Sequence, residues 1–168
     1  MNTFSDLLNL HKELDRIFFE HQCALLRFEF DRASERLEFY EKCLRIHMRD
    51  EEEILLPLYA VRCQIDPRGT VQIYLDDHAK MLAHLKLFSE HIEKLIAEPQ
   101  PEADLILLLD REAFFKRLCS HHDRREGEIL YPELEANIPK EERARLFEDL
   151  TLHFESAASE VMSGSFEK

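Results

Sequence analysis

His47-Met48-Arg49-Asp50-Glu51-Glu52-Glu53-Ile54-Leu55-Leu56-Pro57 is answered further along the chain by His122-Asp123-Arg124-Arg125-Glu126-Gly127-Glu128-Ile129-Leu130-Tyr131-Pro132. Seven of the eleven positions are identical, among them the His, two Glu and the Pro. Residues i and i+4 of a helix share one face, about 6 Å apart along the axis. His47 and Glu51 therefore converge on one point, as do His122 and Glu126. Both pairs fall within rows of apolar residues at alternating steps of three and four. Carboxylates in such a stripe are costly unless paired, so the doubled motif calls for a shared cation or a set of buried hydrogen bonds.

The same period runs outward through the chain. Phe4, Leu7, His11, Leu14, Phe18, His21 and Leu25 form one stripe, and Tyr74, His78, Met81, Leu85, Phe88 and Ile92 another. The repeated motifs close the other two, which start near Leu37 and Leu105. Each stripe is the buried face of a helix. Breaks stand at Phe30-Asp31-Arg32-Ala33-Ser34, Asp66-Pro67-Arg68-Gly69-Thr70, Pro99-Gln100-Pro101 and Ile138-Pro139-Lys140. The pattern predicts an all-α fold: four long helices in an up-down-up-down bundle, then a short fifth helix bearing Leu146, Phe147, Leu150 and Phe154. The bundle spans 1–138; 139–168 is the amphipathic helix and tail of the same domain.

Helices 1 and 3 should complete the polar layer. His78 and His122 each stand 22 residues from Gln100, so an antiparallel pair puts them at one level. A first loop near residue 29 or 30 brings His11 level with His47. His11, His47, Glu51, His78, His122 and Glu126 are then the candidate metal ligands, a set suited to two borderline ions, Fe or Mn before Mg or Ca. A first loop displaced toward residue 34 would bring His21 there instead of His11. Otherwise His21 and Glu112 should meet in a second buried polar layer. His84, His91 and Glu52 are expected at the surface, His121 pointing away from the site, and Cys119 and Tyr74 in the core; His153 has no evident partner.

The net charge of −13, from 22 basic and 35 acidic side chains, disfavours nucleic-acid and anionic membrane partners. Three Gly exclude collagen-like or turn-rich β architecture. Four isolated Cys, without a Cys-x-x-Cys pair, argue against a zinc ribbon or disulfide framework and for reduced thiols. The N-terminus has neither a basic n-region nor an apolar h-region, so a secretory signal is not expected and a cytoplasmic location is.

The doubled His-x3-Glu-x3-Leu-x-Pro motif, with single His residues on helices 1 and 3, resembles the hemerythrin-type (His-His-Glu cation-binding) domain over about residues 5 to 135. The resemblance implies a non-haem di-iron centre, with His11, His47, His78 and His122 as terminal ligands and Glu51 and Glu126 as bridges. Zn or Mn would be substitutes. Oxygen carriers of the family have a second His one turn after the helix-3 ligand; here that position is Leu82. The departure favours relatives that sense or process O2, NO or peroxide, in iron or in oxidative and nitrosative stress handling, over reversible oxygen storage, and suggests an open position on the His78/His122 side. The Glu-x-x-His pairs of ferritin-like oxidases are absent. The alternative reading is a non-catalytic metal-responsive interaction module or iron store; a metal-free bundle that oligomerises, as a homodimer for instance, is a third.

Overall fold

The Pro that closes each motif shapes the helix around it. Proline lacks an N–H and its ring clashes with the carbonyl four residues back, so a regular α-helix cannot pass through it undisturbed. In the computed structural model, which describes residues 3–148 and 150, both motifs relieve this with a widened π turn, Glu51–Leu55 and Glu126–Leu130. The Leu56 N–H reaches back to the Glu51 carbonyl and the Tyr131 N–H to the Glu126 carbonyl, each one residue further than in an α-helix. The chain then resumes as a short helix with Pro57 or Pro132 in its first turn, where no N–H is needed.

The described residues are all-helical, with no strand. A 3₁₀ turn, Phe4–Leu7, leads into α1 (Leu8–Leu26); α2 is Phe30–Asp50, α3 Leu56–Arg62, α4 Val71–Ala97, α5 Glu102–Arg125 and α6 Tyr131–Asn137. A further helix, α7, covers 140–148. It is the described part of the expected fifth helix; Phe147 within it is buried, as is Leu150 beyond it, and Phe154 and His153 lie outside the described residues. Helix α1 packs on α2, α2 on α4, α4 on α5 and α5 on α1. No helix among the described residues is long and apolar enough to cross a membrane.

The α1–α2 connection decides which histidine sits where. Glu29 N–H bonds to Ala24 O at 3.0 Å and Phe28 N–H to Leu25 O at 3.0 Å, with Phe28 in the left-handed region at φ 60°. This is a Schellman ending with a phenylalanine where glycine is usual. The turn therefore falls at Arg27–Glu29, and helix α2 begins at Phe30, so the first loop is not displaced toward residue 34.

The apolar core comes in two parts. One gathers Leu14, Leu44, Met48, Met81, Phe115 and their neighbours; the other gathers Phe4, Leu7, Leu55, Tyr74, Leu130 and theirs. Along α1 the order is Leu7, His11, Leu14, and along α4 it is Tyr74, His78, Met81. Each long helix thus carries its candidate ligand at the seam between the two apolar parts, and the seam is a buried polar layer.

Candidate metal centre

The six residues singled out from the sequence come together in that layer. Glu51 and Glu126 are 1% and 0% exposed, and the four imidazoles are 6% exposed or less. His11 Nε2 lies 2.8 Å from His47 Nε2 and 3.2 Å from Glu126 Oε2. Across the layer, His78 Nε2 lies 3.2 Å from His122 Nε2 and 3.2 Å from Glu51 Oε2. Within the motifs, His47 Nε2 to Glu51 Oε1 is 3.5 Å and His122 Nε2 to Glu126 Oε1 is 2.8 Å. The arrangement has the symmetry of the repeat: the carboxylate on each π turn meets the histidine of its own motif and one from α1 or α4.

Two donor sets result, each confined within 4.8 Å: His11, His47, Glu51 and Glu126; and Glu51, His78, His122 and Glu126. They share both carboxylates. Ring nitrogens facing each other in pairs, with carboxylate oxygens between them, are groups that could hold a metal ion. Several of these atoms are buried without a hydrogen bond, among them Glu51 Oε2 and Glu126 Oε1. Their close approaches to His78 and His122 are ion-pair contacts lacking hydrogen-bond alignment. A cation between the donors would satisfy atoms that the protein leaves unsatisfied, and imidazole with carboxylate suits Fe, Zn or Mn.

The ionisable groups divide unequally in the metal-free layer. Burial pushes the Glu51 pKa up, but His47, His78 and His122 outweigh it and hold the carboxyl well below its ordinary range. Glu126 goes the other way: burial, then the Glu51 charge, push it well up against the pull of His122. His122 is raised well above an ordinary imidazole because Glu126, Asp77 and Glu51 overcome its burial. His11 is lowered to about 3, first by burial and then by His47. The two carboxyls are thus driven apart, Glu51 toward the ionised form and Glu126 toward the protonated one.

Sequence reasoning missed the groups that hold these side chains. The Tyr131 hydroxyl is 3.0 Å from Glu51 Oε1 and 3.3 Å from Glu126 Oε2, so its one proton serves either carboxylate. His78 Nδ1 donates to Glu52 Oε1 at 2.7 Å. Glu52 is exposed as expected, yet its carboxylate turns inward, because the widened turn reduces the rotation between consecutive residues. Asp123 lies 3.6 Å from His11 Nδ1, and Asp77, bound by Arg125 at 2.6 Å, lies 3.8 Å from His122 Nδ1. Tyr131 and Glu52 were signalled in one way only, as mismatches inside the repeat, where their counterparts are Leu56 and Gly127.

A cavity of about 20 Å³ adjoins the layer, bounded by His11, His47 and His122 with Leu14, Met48 and Cys119. That is room for about one water-sized molecule. It does not border His78: Leu82, at the position expected to open that side, packs against the apolar core instead. Burial pushes the Cys119 thiol up to about 12, so it stays protonated.

His21 does not reach the layer. It is fully buried, donates from Nδ1 to Ala33 O at 2.7 Å and meets Glu112 Oε1 through Nε2 at 2.8 Å, the expected second polar layer. Tyr74 is buried, with its hydroxyl 3.4 Å from Arg125 O. His121 is exposed, on Arg124. His84 and His91 depart from expectation. His84 is half-buried among Phe88, Phe114 and Phe115, and His91 is 8% exposed beside Arg111, because the α4–α5 contact covers more of α4 than one stripe. Comparison with protein-family models, with curated proteins and with solved structures returns no match.

Proposed function

We propose that the chain is a hemerythrin-like up-down-up-down four-helix bundle that binds two iron ions and a small ligand of the O2, NO or peroxide class. The observation that carries this reading is the pair of two-His, two-carboxylate donor sets sharing Glu51 and Glu126. His11 and His47 would hold one ion, His78 and His122 the other, and the two carboxylates would bridge them. Bound iron would supply redox chemistry and a coordination position for the ligand. The chain's own residues do the rest. Tyr131 orients the carboxylates, the two apolar core parts exclude bulk water, and Leu14 and Met48 with Cys119 shape a cavity that admits one small molecule beside His11 and His47. A cavity of that size favours a small-ligand site over an iron store.

Elemental analysis of protein made in iron-supplied cells tests the reading, followed by anaerobic nitric oxide titration monitored by absorbance. About two irons per chain and a saturable optical change are expected. A folded, helical protein that takes up no iron, before or after reconstitution, would overturn it and leave the layer a structural one.

A further inference from the structure

The repeat offers an internal control for the two halves of the layer. Glu51 and Glu126, His47 and His122, and His11 and His78 correspond across it, so the nearest donors are matched. What surrounds them is not. His78 Nδ1 is fixed by Glu52 at 2.7 Å. The residue corresponding to Glu52 is Gly127, which lies against α1, where an added Cβ would meet the Leu8 methyls at 3.5 Å. Among the described residues His11 therefore has no such brace. The nearest carboxylate to His11 Nδ1 is Asp123 at 3.6 Å, beyond hydrogen-bond length, and Nδ1 is buried without a partner.

A metal-binding imidazole needs Nε2 free and its proton on Nδ1. A carboxylate accepting from Nδ1–H fixes that tautomer, locks the ring's direction and makes Nε2 more basic; loss of such a partner typically costs 10–100-fold in metal affinity. His78 has that partner already in place. We infer that Glu52 is a positioning residue that makes the His78/His122 half the first to take up a divalent transition-metal cation, with the His11/His47 half filling second and more weakly. This rests on the metal-centre reading above and adds an order to it. The second, weaker half is the one whose two histidines both border the cavity. Occupancy of the cavity side is then graded by cation supply, while the braced half stays filled.

The test is anaerobic titration of the metal-free full chain with cobalt(II), by calorimetry and by the visible d–d bands that report each ion's surroundings. Wild type is expected to show two resolved steps. Glu52→Ala should weaken the tighter step by about 10–100-fold and leave the other within about threefold. Glu52→Gln, which keeps an acceptor oxygen but not the charge, should recover part of the loss. The d–d bands of the first cobalt should shift in both variants, a change that a purely structural role would not produce. The helical circular dichroism of the metal-free protein serves as the folding control and should keep its wild-type amplitude, while the melting temperature of Glu52→Ala falls because the buried His78 Nδ1–H loses its acceptor. Two equivalents bound in indistinguishable steps, or a tighter step unchanged in Glu52→Ala, would overturn the ordering while sparing the metal centre. No cobalt bound by wild type would overturn both.

Discussion

Replacing each buried carboxylate by its amide separates the metal-free from the metal-loaded roles of the layer. In the metal-free protein Glu51 is the ionised member, held by His47, His78 and His122, whereas burial and the Glu51 charge keep Glu126 protonated. Glu126→Gln therefore swaps one neutral hydrogen-bonding group for another and should change metal-free stability by less than about 1 kcal/mol. Glu51→Gln removes the carboxylate that His47, His78 and His122 hold ionised, and ionisation of Glu126, released from the Glu51 charge, offsets part of a cost of at most about 3–5 kcal/mol. For a chain of this size that is a fall of at most about 6–20 °C in melting temperature. Metal reverses the picture. A cation at 100 times its dissociation constant adds about 2.7 kcal/mol, so two add about 5 kcal/mol, or about 10–20 °C. Both amides should lose most of that gain, because each deletes an oxygen shared by both donor sets. The assay is thermal melting by circular dichroism, with and without excess Fe(II) under anaerobic conditions, alongside metal counts. Equal metal-free destabilisation by the two amides would refute the assignment of the proton to Glu126. Full metal-dependent stabilisation in either variant would refute the shared-carboxylate geometry.

Three further outcomes follow from the same charges. Metal favours the deprotonated forms of His122 and Glu126, whose pKa values are both raised, so loading at pH 7 should release protons, measured as the buffer-ionisation dependence of the calorimetric heat; no release would contradict the direction of these shifts. His11 stays neutral in the fold down to about 3, whereas the unfolded chain protonates it below about 6.5, so the group costs stability as pH falls through that window. At pH 5 the cost is about 2 kcal/mol, and a His11→Gln variant should be less acid-sensitive than wild type by that amount in urea denaturation of the metal-free protein. In the second polar layer, Glu112→Ala should cost about 1–3 kcal/mol by leaving the fully buried His21 Nε2 without its partner, while metal stoichiometry stays at the wild-type value; wild-type stability would show that the pair contributes nothing.

The sequence exposes those parts of the site that depend on local periodicity. His47 with Glu51 and His122 with Glu126 are one helical turn apart, and their place in apolar rows is visible without coordinates. Choosing His11 over His21 was harder, because it hinges on where α1 ends. That end is a left-handed Phe28, a residue type that gives no turn signal. The π turns were legible in principle from Pro57 and Pro132, but the inward rotation of Glu52 that they bring was not. Asp77 and Asp123 act across helices, each on a partner at a sequence distance no period relates, and Tyr131 reaches Glu51 in the same way besides Glu126 five residues back. His91 was misplaced for the same reason: an off-row position is buried only when a neighbouring helix happens to cover it.

The repeat explains both the symmetry of the layer and its breaking. Two copies of one helical motif, facing each other across the bundle, supply matched donors at matched levels, which is what two ions sharing two carboxylates require. Everything that distinguishes the halves sits at the positions where the copies differ. Glu52 against Gly127 braces one imidazole and not its counterpart. Tyr131 against Leu56 places a single hydroxyl between both carboxylates from one side. Asp123 against Met48 puts a carboxyl, pushed up to about 7 mainly by its burial, on the cavity wall opposite a thioether. Had the copies stayed identical, the two donor sets would have equivalent surroundings, with nothing to order their occupancy. On the proposed ordering it is this divergence that sets the two halves apart, and exchanging Glu52 and Gly127 between the copies should interchange the tighter and weaker steps of the cobalt(II) titration.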